Sequence, residues 1–174
     1  MSNRPKSIIF ILSTSYIPVI LKIIKIHDMP CGARKNVPLE GFDIYFSAWN
    51  TQTLTKIKTG TTIVYDKVLT NEGNGYSNVN GKFTAPRDGP YVFAWTVVVK
   101  DNFMINIFIY HNGNRLSVAQ ADSEYNNLNN SGSNTIVLNL KKNDVVQLKC
   151  GRMGTVRKNY LHGNGHSTFS GWLL

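Results

Sequence analysis

Cationic and aromatic side chains gather in one stretch near the end of the chain, GRMGTVRKNYLHG, at positions 151–163. The side chains there that could contact a ligand are Arg152, Arg157, Lys158, Tyr160 and His162. An arginine offers a planar fork that matches a carboxylate, sulfate or phosphate, and a tyrosine ring can cover the apolar face of a sugar. The stretch therefore predicts a binding site for an anionic glycan. A solvated loop without a ligand is the alternative interpretation.

The motifs of common enzymes are missing from the sequence. It contains no G-x-S-x-G nucleophile elbow, no H-E-x-x-H zinc motif and no phosphate-binding P-loop. His162 and His166 are four positions apart, but they lie in a glycine-rich loop where they share no helix face. Zinc would need further ligands that the neighbouring sequence does not supply. We therefore expect a protein that binds and does not catalyse.

The composition describes a basic chain of a length that suits one well-buried domain. Its 174 residues include 19 lysines and arginines against 10 acidic residues, which gives a formal net charge of +9 at pH 7. Such a charge favours acidic partners. No run of cations exceeds two, so a generally basic surface is the alternative to a dedicated site. Nucleic-acid binding would require a concentrated basic face, which the sequence does not indicate.

The elements that must position these side chains are short strands separated by turns. Apolar and polar residues alternate over 42–48, and from Tyr91 to Val99 every second residue is aromatic or aliphatic. The Asn112-Gly113 pair predicts a tight hairpin. Further extended segments are expected at 61–69, 103–110, 115–121, 135–140, 145–150 and 166–174, with polar loops at 122–133 and 151–165. The pattern predicts an all-β sandwich of about ten strands, with segment 103–110 covered on both faces.

Aromatic residues, glycines and one asparagine recur at characteristic intervals between Tyr65 and Trp95. The set is Tyr65, Asn71, Tyr76, Phe83, Gly89, Tyr91, Phe93 and Trp95, to which the closing segment adds Phe169 and Gly171. This spacing resembles the signature of the C1q domain, the globular head of complement C1q in the C1q/tumour necrosis factor superfamily. Tyr65 stands where the family usually has phenylalanine, and Trp95 where it usually has phenylalanine or tyrosine. The resemblance covers residues 38–174.

The resemblance implies a ten-stranded jelly-roll sandwich that assembles as a homotrimer. It also implies that Tyr91, Phe93, Trp95, Phe169 and Trp172 belong to the core or to the trimer interface. The sequence shows neither a Gly-X-Y repeat nor a heptad stretch, so we expect the globular domain itself to form the oligomer.

Proteins of this family that lack a collagen stalk often act as soluble recognition molecules of innate immunity. The implied function is therefore secreted, lectin-like pattern recognition, in which a multivalent trimer binds microbial or anionic carbohydrates. A cytokine-like trimeric ligand for a protein receptor is the alternative.

Calcium is an open question, because some C1q-like domains bind it in loops near the trimer axis. Calcium prefers several oxygen ligands, mostly carboxylates and carbonyls. The loop at 122–133 offers Asp122 and Glu124, but it lacks the acidic residue that calcium-binding relatives tend to have near positions 131–133. A solvated polar loop is the alternative. Asn129 begins an Asn-Asn-Ser sequon, which predicts N-glycosylation if the chain is secreted.

The N-terminal segment predicts a secretory leader. Arg4 and Lys6 precede an apolar run at 8–21, which is too short for a comfortable membrane span. Lys22 and Lys25 are untypical of the end of a leader, so a signal anchor, or neither, remains open. We expect a leader at 1–33, a linker at 34–40 and the C1q-like domain at 41–174.

The two cysteines, Cys31 and Cys150, constrain the fold little. Cys150 lies in an expected strand, and we expect it to be a buried free thiol, since free cysteine behaves as a small core residue. A disulfide to Cys31 remains open, because sequence alone does not show whether the two Cα atoms lie close enough.

Overall fold

The computed structural model describes residues 44–123, 128–151 and 159–174. The expected leader and linker, the first residues of the expected domain and Cys31 lie outside these ranges. The strands in chain order are β1 (Tyr45–Trp49), β2 (Leu54–Thr55), β3 (Lys67–Glu72), β4 (Tyr76–Ser77), β5 (Lys82–Thr84), β6 (Gly89–Val99), β7 (Met104–His111), β8 (Asn114–Asp122), β9 (Asn130–Leu140), β10 (Val145–Cys150), β11 (Tyr160–Leu161) and β12 (Thr168–Leu173).

Ten of these strands form two five-stranded antiparallel sheets. Sheet 1 has the order β3-β1-β12-β6-β9, and sheet 2 has the order β4-β5-β10-β7-β8. The short strands β2 and β11 pair with each other apart from both sheets. The all-β, ten-stranded sandwich expected from the sequence is confirmed, while the β2–β11 pair was not predicted. Among the residues that the structure describes, no helix has the length and apolar character needed to cross a membrane.

The core between the two sheets is built around aromatic rings. Phe46 stacks on Tyr76 with ring centroids 4.7 Å apart, and it meets the edge of Phe169 at 4.9 Å. The alternation predicted for β6 is confirmed, because the side chains of Tyr91, Phe93, Trp95, Val97 and Val99 are all buried. Cys150 is a buried free cysteine, as expected, and burial raises the pKa of its thiol.

Three residues of the signature, Tyr65, Asn71 and Tyr76, attach β4 to the rest of the sandwich by hydrogen bonds. The Asn71 side chain donates to the main-chain oxygen of Tyr76 at 2.8 Å and accepts from its main-chain N–H at 3.0 Å. The Tyr76 hydroxyl in turn accepts from the Tyr65 N–H at 3.0 Å and donates to the Tyr65 carbonyl at 3.1 Å. Burial raises the pKa of Tyr76 to about 12, so the hydroxyl stays protonated and able to donate.

The expected strand at 61–69 is wrong over most of its length. Thr62 forms only an isolated bridge with Lys149, and continuous pairing begins at Lys67. The Ile63 N–H still donates to the Leu148 carbonyl of β10 at 2.8 Å. Beyond it, side chains take backbone groups: the Val64 carbonyl accepts from the Asn50 amide at 2.7 Å, and the Tyr65 N–H donates to Tyr76. Since these groups of Val64 and Tyr65 are already bonded, this part of the segment needs no neighbouring strand.

Two expected features around β7 and β9 also differ. β9 begins at Asn130, five residues before the expected start, because it pairs with β6 along its whole length, as far as Val99 opposite Asn130. Pairing with a long, buried neighbour outweighs the low strand propensity of the polar residues 130–134. The predicted coverage of both faces of β7 is also wrong. The face with Ile107 is buried, but Phe108 and Tyr110 on the other face are half-exposed.

Candidate functional site

The outer face of sheet 1 carries apolar side chains that line up across four strands. Tyr45 pairs with Trp172, Trp172 with Val92, and Val92 with Val137. We call these four residues the apolar row. Tyr45, Trp172 and Val137 are 43%, 40% and 57% exposed, whereas Val92 is 6% exposed. A contiguous exposed apolar patch of this kind is typical of a protein–protein contact.

Small side chains, three of which carry a hydroxyl group, border the apolar row. The neighbouring cross-strand row consists of Ser47, Ser170, Ala94 and Thr135. The hydroxyls of Ser170 and Ser47 bond each other at 3.1 Å. The large rings of Tyr45 and Trp172 therefore stand beside a strip of small side chains.

The loop predicted to bind anionic glycans is described in part. Arg152, Arg157 and Lys158 lie outside the described residues. Tyr160 and His162 are half-buried. Tyr160 lies in β11, which pairs with β2, and the His162 N–H donates to the Val98 carbonyl at 2.9 Å.

These two rings belong to a ladder of aromatic contacts in the order Phe103, Tyr160, His162 and His166. The centroid distances are 5.1, 5.6 and 4.1 Å along the ladder. Tyr160 and His162 are thus in contact, and their role in binding a ligand stays a prediction.

His162 and His166 meet because the chain reverses between them. The His166 N–H donates to the Gly163 carbonyl at 3.2 Å, and Asn164 and Gly165 have φ angles of 54° and 82°. These left-handed conformations form a tight turn of the kind that Asn-Gly pairs favour. The two histidines share no helix face, so the Asn164-Gly165 pair is the sequence signal that they meet.

The His162 ring has a defined hydrogen bond on one side. Its Nδ1 lies 3.1 Å from the Gly163 carbonyl oxygen, which is an acceptor, so Nδ1 is the donor of this hydrogen bond and Nε2 does not take part in it. In the described ranges no three histidine, cysteine or acidic residues are grouped so that they could hold a metal ion. The pair therefore offers two imidazoles to a ligand.

The expected calcium and glycosylation residues lie near the start of β9. Asp122 is half-buried at the end of β8, and its main-chain oxygen accepts from the Asn130 side chain at 2.6 Å. Glu124 lies outside the described residues. Asn129 is exposed, as a glycan acceptor must be. Calcium binding and glycosylation stay predictions.

The sequence of the chain matches a known family over nearly all of the described residues. A model of the C1q domain matches residues 45–174. The chain belongs to the C1q domain family. The match begins at the first residue of β1 and takes in every strand, which confirms the resemblance found in the sequence.

Two relatives of this C1q-domain chain match it over part of their length. The heavy metal-binding protein HIP of Mytilus edulis is 31% identical over 110 residues, which are 63% of this chain and 50% of that protein. The human complement C1q tumor necrosis factor-related protein 3 is 32% identical over 115 residues, which are 64% of this chain and 44% of that protein. The chain thus spans about half the length of these relatives or less.

Solved structures show the same fold. The globular domain of zebrafish complement 1qA protein superposes with a TM-score of 0.60 at 18% identity, over 75% of this chain and 96% of that domain. Murine APRIL superposes with a TM-score of 0.57 at 14% identity, over 75% of this chain and 98% of that one. Both likenesses support a C1q and tumour necrosis factor jelly roll.

Proposed function

We propose that this C1q-domain chain is a secreted, non-enzymatic recognition protein of innate immunity. It assembles as a homotrimer and binds microbial or anionic glycans through sites repeated on the three subunits. The observation that carries the proposal is the apolar row, which leaves Trp172 and Val137 40% and 57% exposed in the single chain. Family membership supports both the trimer and the recognition role.

The exposed apolar surface of the apolar row favours assembly of the trimer. Burying the exposed parts of Tyr45, Trp172 and Val137 against a second copy removes apolar surface from water, which is the main favourable contribution to association. A ring of identical subunits closes when one surface of each contacts a different surface of the next. Three copies of a weak glycan site then act together, and avidity exceeds the affinity of one site.

The oligomer is tested with two matched valine variants. Val137→Glu places a carboxylate in the apolar row, and we expect it to reduce the native mass from that of a trimer to that of a single chain. Val79→Glu makes the same change at a loop residue that is 87% exposed, and the trimer should persist. Sedimentation equilibrium measures both. A trimeric Val137→Glu variant, or a monomeric wild type, would overturn the proposal that the apolar row forms a trimer.

Glycan recognition is tested on a glycan array with wild type and the Val137→Glu variant. Binding to acidic glycans that weakens when the trimer is lost supports multivalent recognition. The double variant Arg157→Ala and Lys158→Ala tests the loop predicted from the sequence. Saturable binding to a cell-surface protein, with no binding to the array, would favour the receptor-ligand alternative instead.

A second candidate function is the binding of a transition-metal ion at His162 and His166. The two rings lie 4.1 Å apart, and the hydrogen bond at Nδ1 of His162 leaves Nε2 free to bind a metal. A backbone carbonyl that fixes the second ring nitrogen is a common support for a metal-binding histidine. Imidazole suits copper, nickel and zinc. The name of the mussel relative, a heavy metal-binding protein, points the same way.

This candidate is tested by titrating the protein with Cu²⁺ and Zn²⁺ in a calorimeter. We expect one site per chain in wild type and its loss in His162→Gln and in His166→Gln. His111→Gln is the control, because His111 bonds Asp144 at a different place. Equal binding by all four proteins would rule the histidine pair out.

A further inference from the structure

The outer face of sheet 2 carries three cations. Lys82 pairs with Gln147, Gln147 with Tyr110, and Tyr110 with Arg115, so one row crosses four strands. Since adjacent strands are about 4.8 Å apart, the Cα atoms of Lys82 and Arg115 are separated by roughly 14 Å. Lys149 lies on the same face, two residues along β10 from Gln147.

Two of these cations are held over aromatic rings. The guanidinium carbon of Arg115 lies 4.7 Å from the centroid of the Phe108 ring, and the Lys149 ammonium nitrogen lies 4.9 Å from the centroid of the Tyr110 ring. Cation–π attraction keeps both charged groups against the sheet. A ligand that binds them therefore has less side-chain entropy to overcome than it would with freely moving lysines and arginines.

No acidic side chain neutralises these cations among the residues that the structure describes. The ion pairs found there are His111 with Asp144 and Lys141 with Asp88. Asp122, at the end of β8, is the one acidic residue in the five strands of sheet 2. The face thus concentrates positive charge on a chain that already carries a net charge of +9, and it complements an anionic partner.

We infer that the cationic face, formed by Lys82, Arg115 and Lys149 with Phe108 and Tyr110, binds a linear polysaccharide that carries sulfate or carboxylate groups. This rests on the proposed function and assigns its glycan site to a sheet, in place of the loop at 151–165. An extended polysaccharide can lie across this face and contact successive cations. The guanidinium fork of Arg115 suits a sulfate or a carboxylate.

The aromatic rings decide between a polysaccharide and a nucleic acid. Proteins that bind single-stranded nucleic acid use exposed ring faces on which bases stack. Here Arg115 covers the Phe108 ring and Lys149 covers the Tyr110 ring. The face therefore offers charge without a stacking platform, which favours a polysaccharide.

The cationic face also stays accessible in the proposed trimer. The apolar row lies on the outer face of sheet 1, on the opposite side of the sandwich. Assembly through sheet 1 leaves one cationic face on the outside of each subunit, so three copies bind together.

The test measures binding of the full chain to immobilised dextran sulfate, with neutral dextran as the uncharged reference. Arg115→Gln and Lys149→Gln should each weaken binding roughly tenfold, since a hydrogen bond to a charged group contributes about one tenfold step. Lys149→Arg keeps the charge and should retain binding. Lys142→Gln removes the same charge at an exposed turn outside the sheet and should change binding little.

The outcomes separate this inference from the proposed function. If wild type binds neither dextran sulfate nor any acidic glycan, the proposed function fails and the inference with it. If wild type binds but Arg115→Gln and Lys149→Gln bind as well as Lys142→Gln, the site is elsewhere and only the inference fails. Binding of single-stranded DNA with equal affinity and equal sensitivity to the two variants would show a general polyanion surface and overturn the assignment to polysaccharides.

Discussion

The indole N–H of Trp95, on β6 of sheet 1, donates a hydrogen bond of 3.2 Å to the main-chain oxygen of Ile107, on β7 of sheet 2. The bond crosses the core and ties the two sheets together at a residue where the C1q family usually has phenylalanine or tyrosine. The larger ring is thus accommodated with its one polar atom satisfied, as buried polar atoms generally are.

Trp95→Phe should therefore destabilise the fold. The variant loses the bond to Ile107 and leaves a small cavity, and we expect the free energy of unfolding to fall by about 1–3 kcal/mol. Urea denaturation of the purified chain measures the loss. Trp49→Phe, at a half-exposed position, is the matched control and should change stability much less. Equal losses in the two variants would contradict the role given to the inter-sheet bond.

Tyr65→Phe should stabilise the protein. The Tyr65 hydroxyl is fully buried and has no hydrogen-bond partner within the described part of the chain, and burial raises the pKa of this phenol well above its usual value. Removing an unsatisfied hydroxyl recovers its desolvation cost, about 1 kcal/mol or more. Tyr76→Phe is the matched comparison, since it removes a hydroxyl that bonds both backbone groups of Tyr65. Tyr76→Phe should destabilise the fold. Thermal unfolding measures both variants, and the two melting temperatures should shift in opposite directions from wild type.

Gly171→Ala should destabilise the aromatic core. A Cβ atom at this position would lie 2.7 Å from ring carbons of both Phe46 and Phe93. Since the core is closely packed, relieving that overlap costs about 1–3 kcal/mol. Ser170→Ala is the control, because Ser170 precedes Gly171 in the chain and its side chain lies on the outer face of the sheet. Chemical denaturation that gives the same midpoint for the two variants would show that the rings can move aside freely.

Asp144→Asn should weaken the acid dependence of stability. The Asp144 carboxylate accepts from the Asn112 amide, the Lys141 N–H and His111, and these bonds lower its pKa from 3.8 to about 2. A carboxyl whose pKa is lower in the folded state stabilises the fold above pH 3.8 and loses that contribution as the pH falls towards 2. The melting temperature of wild type should fall more steeply over this window than that of the variant. Parallel curves would contradict the prediction.

Local patterns predicted the parts of the fold in which sequence neighbours determine the outcome. The alternation from Tyr91 to Val99 became β6, and Asn112 and Gly113 adopt the positive φ angles of 47° and 85° that the predicted hairpin requires. The prediction of a strand over residues 61–66 was wrong because β-branched residues favour an extended backbone but do not determine its hydrogen-bond partners. The Asn50 and Tyr76 side chains that bond it lie 14 and 11 residues away.

The candidate sites divide in the same way. The contact between the loop residues Tyr160 and His162 could be predicted because they are close in sequence. That Arg115 and Lys149 lie on one face could not be predicted, because they stand alone in strands that lie far apart in the chain. They share a face because β7 lies between β8 and β10, a relationship that strand order sets and that no local window of sequence contains.

The apolar row and the cationic face lie on opposite sides of one sandwich. If the apolar row forms the trimer contacts and the cationic face binds glycan, the three glycan sites point away from one another. The glycan layer on one particle then cannot occupy all three sites. The protein would then join separate particles to one another. Wild type should therefore agglutinate bacteria or polysaccharide-coated beads. The Val137→Glu variant, at the same concentration, should leave them separate.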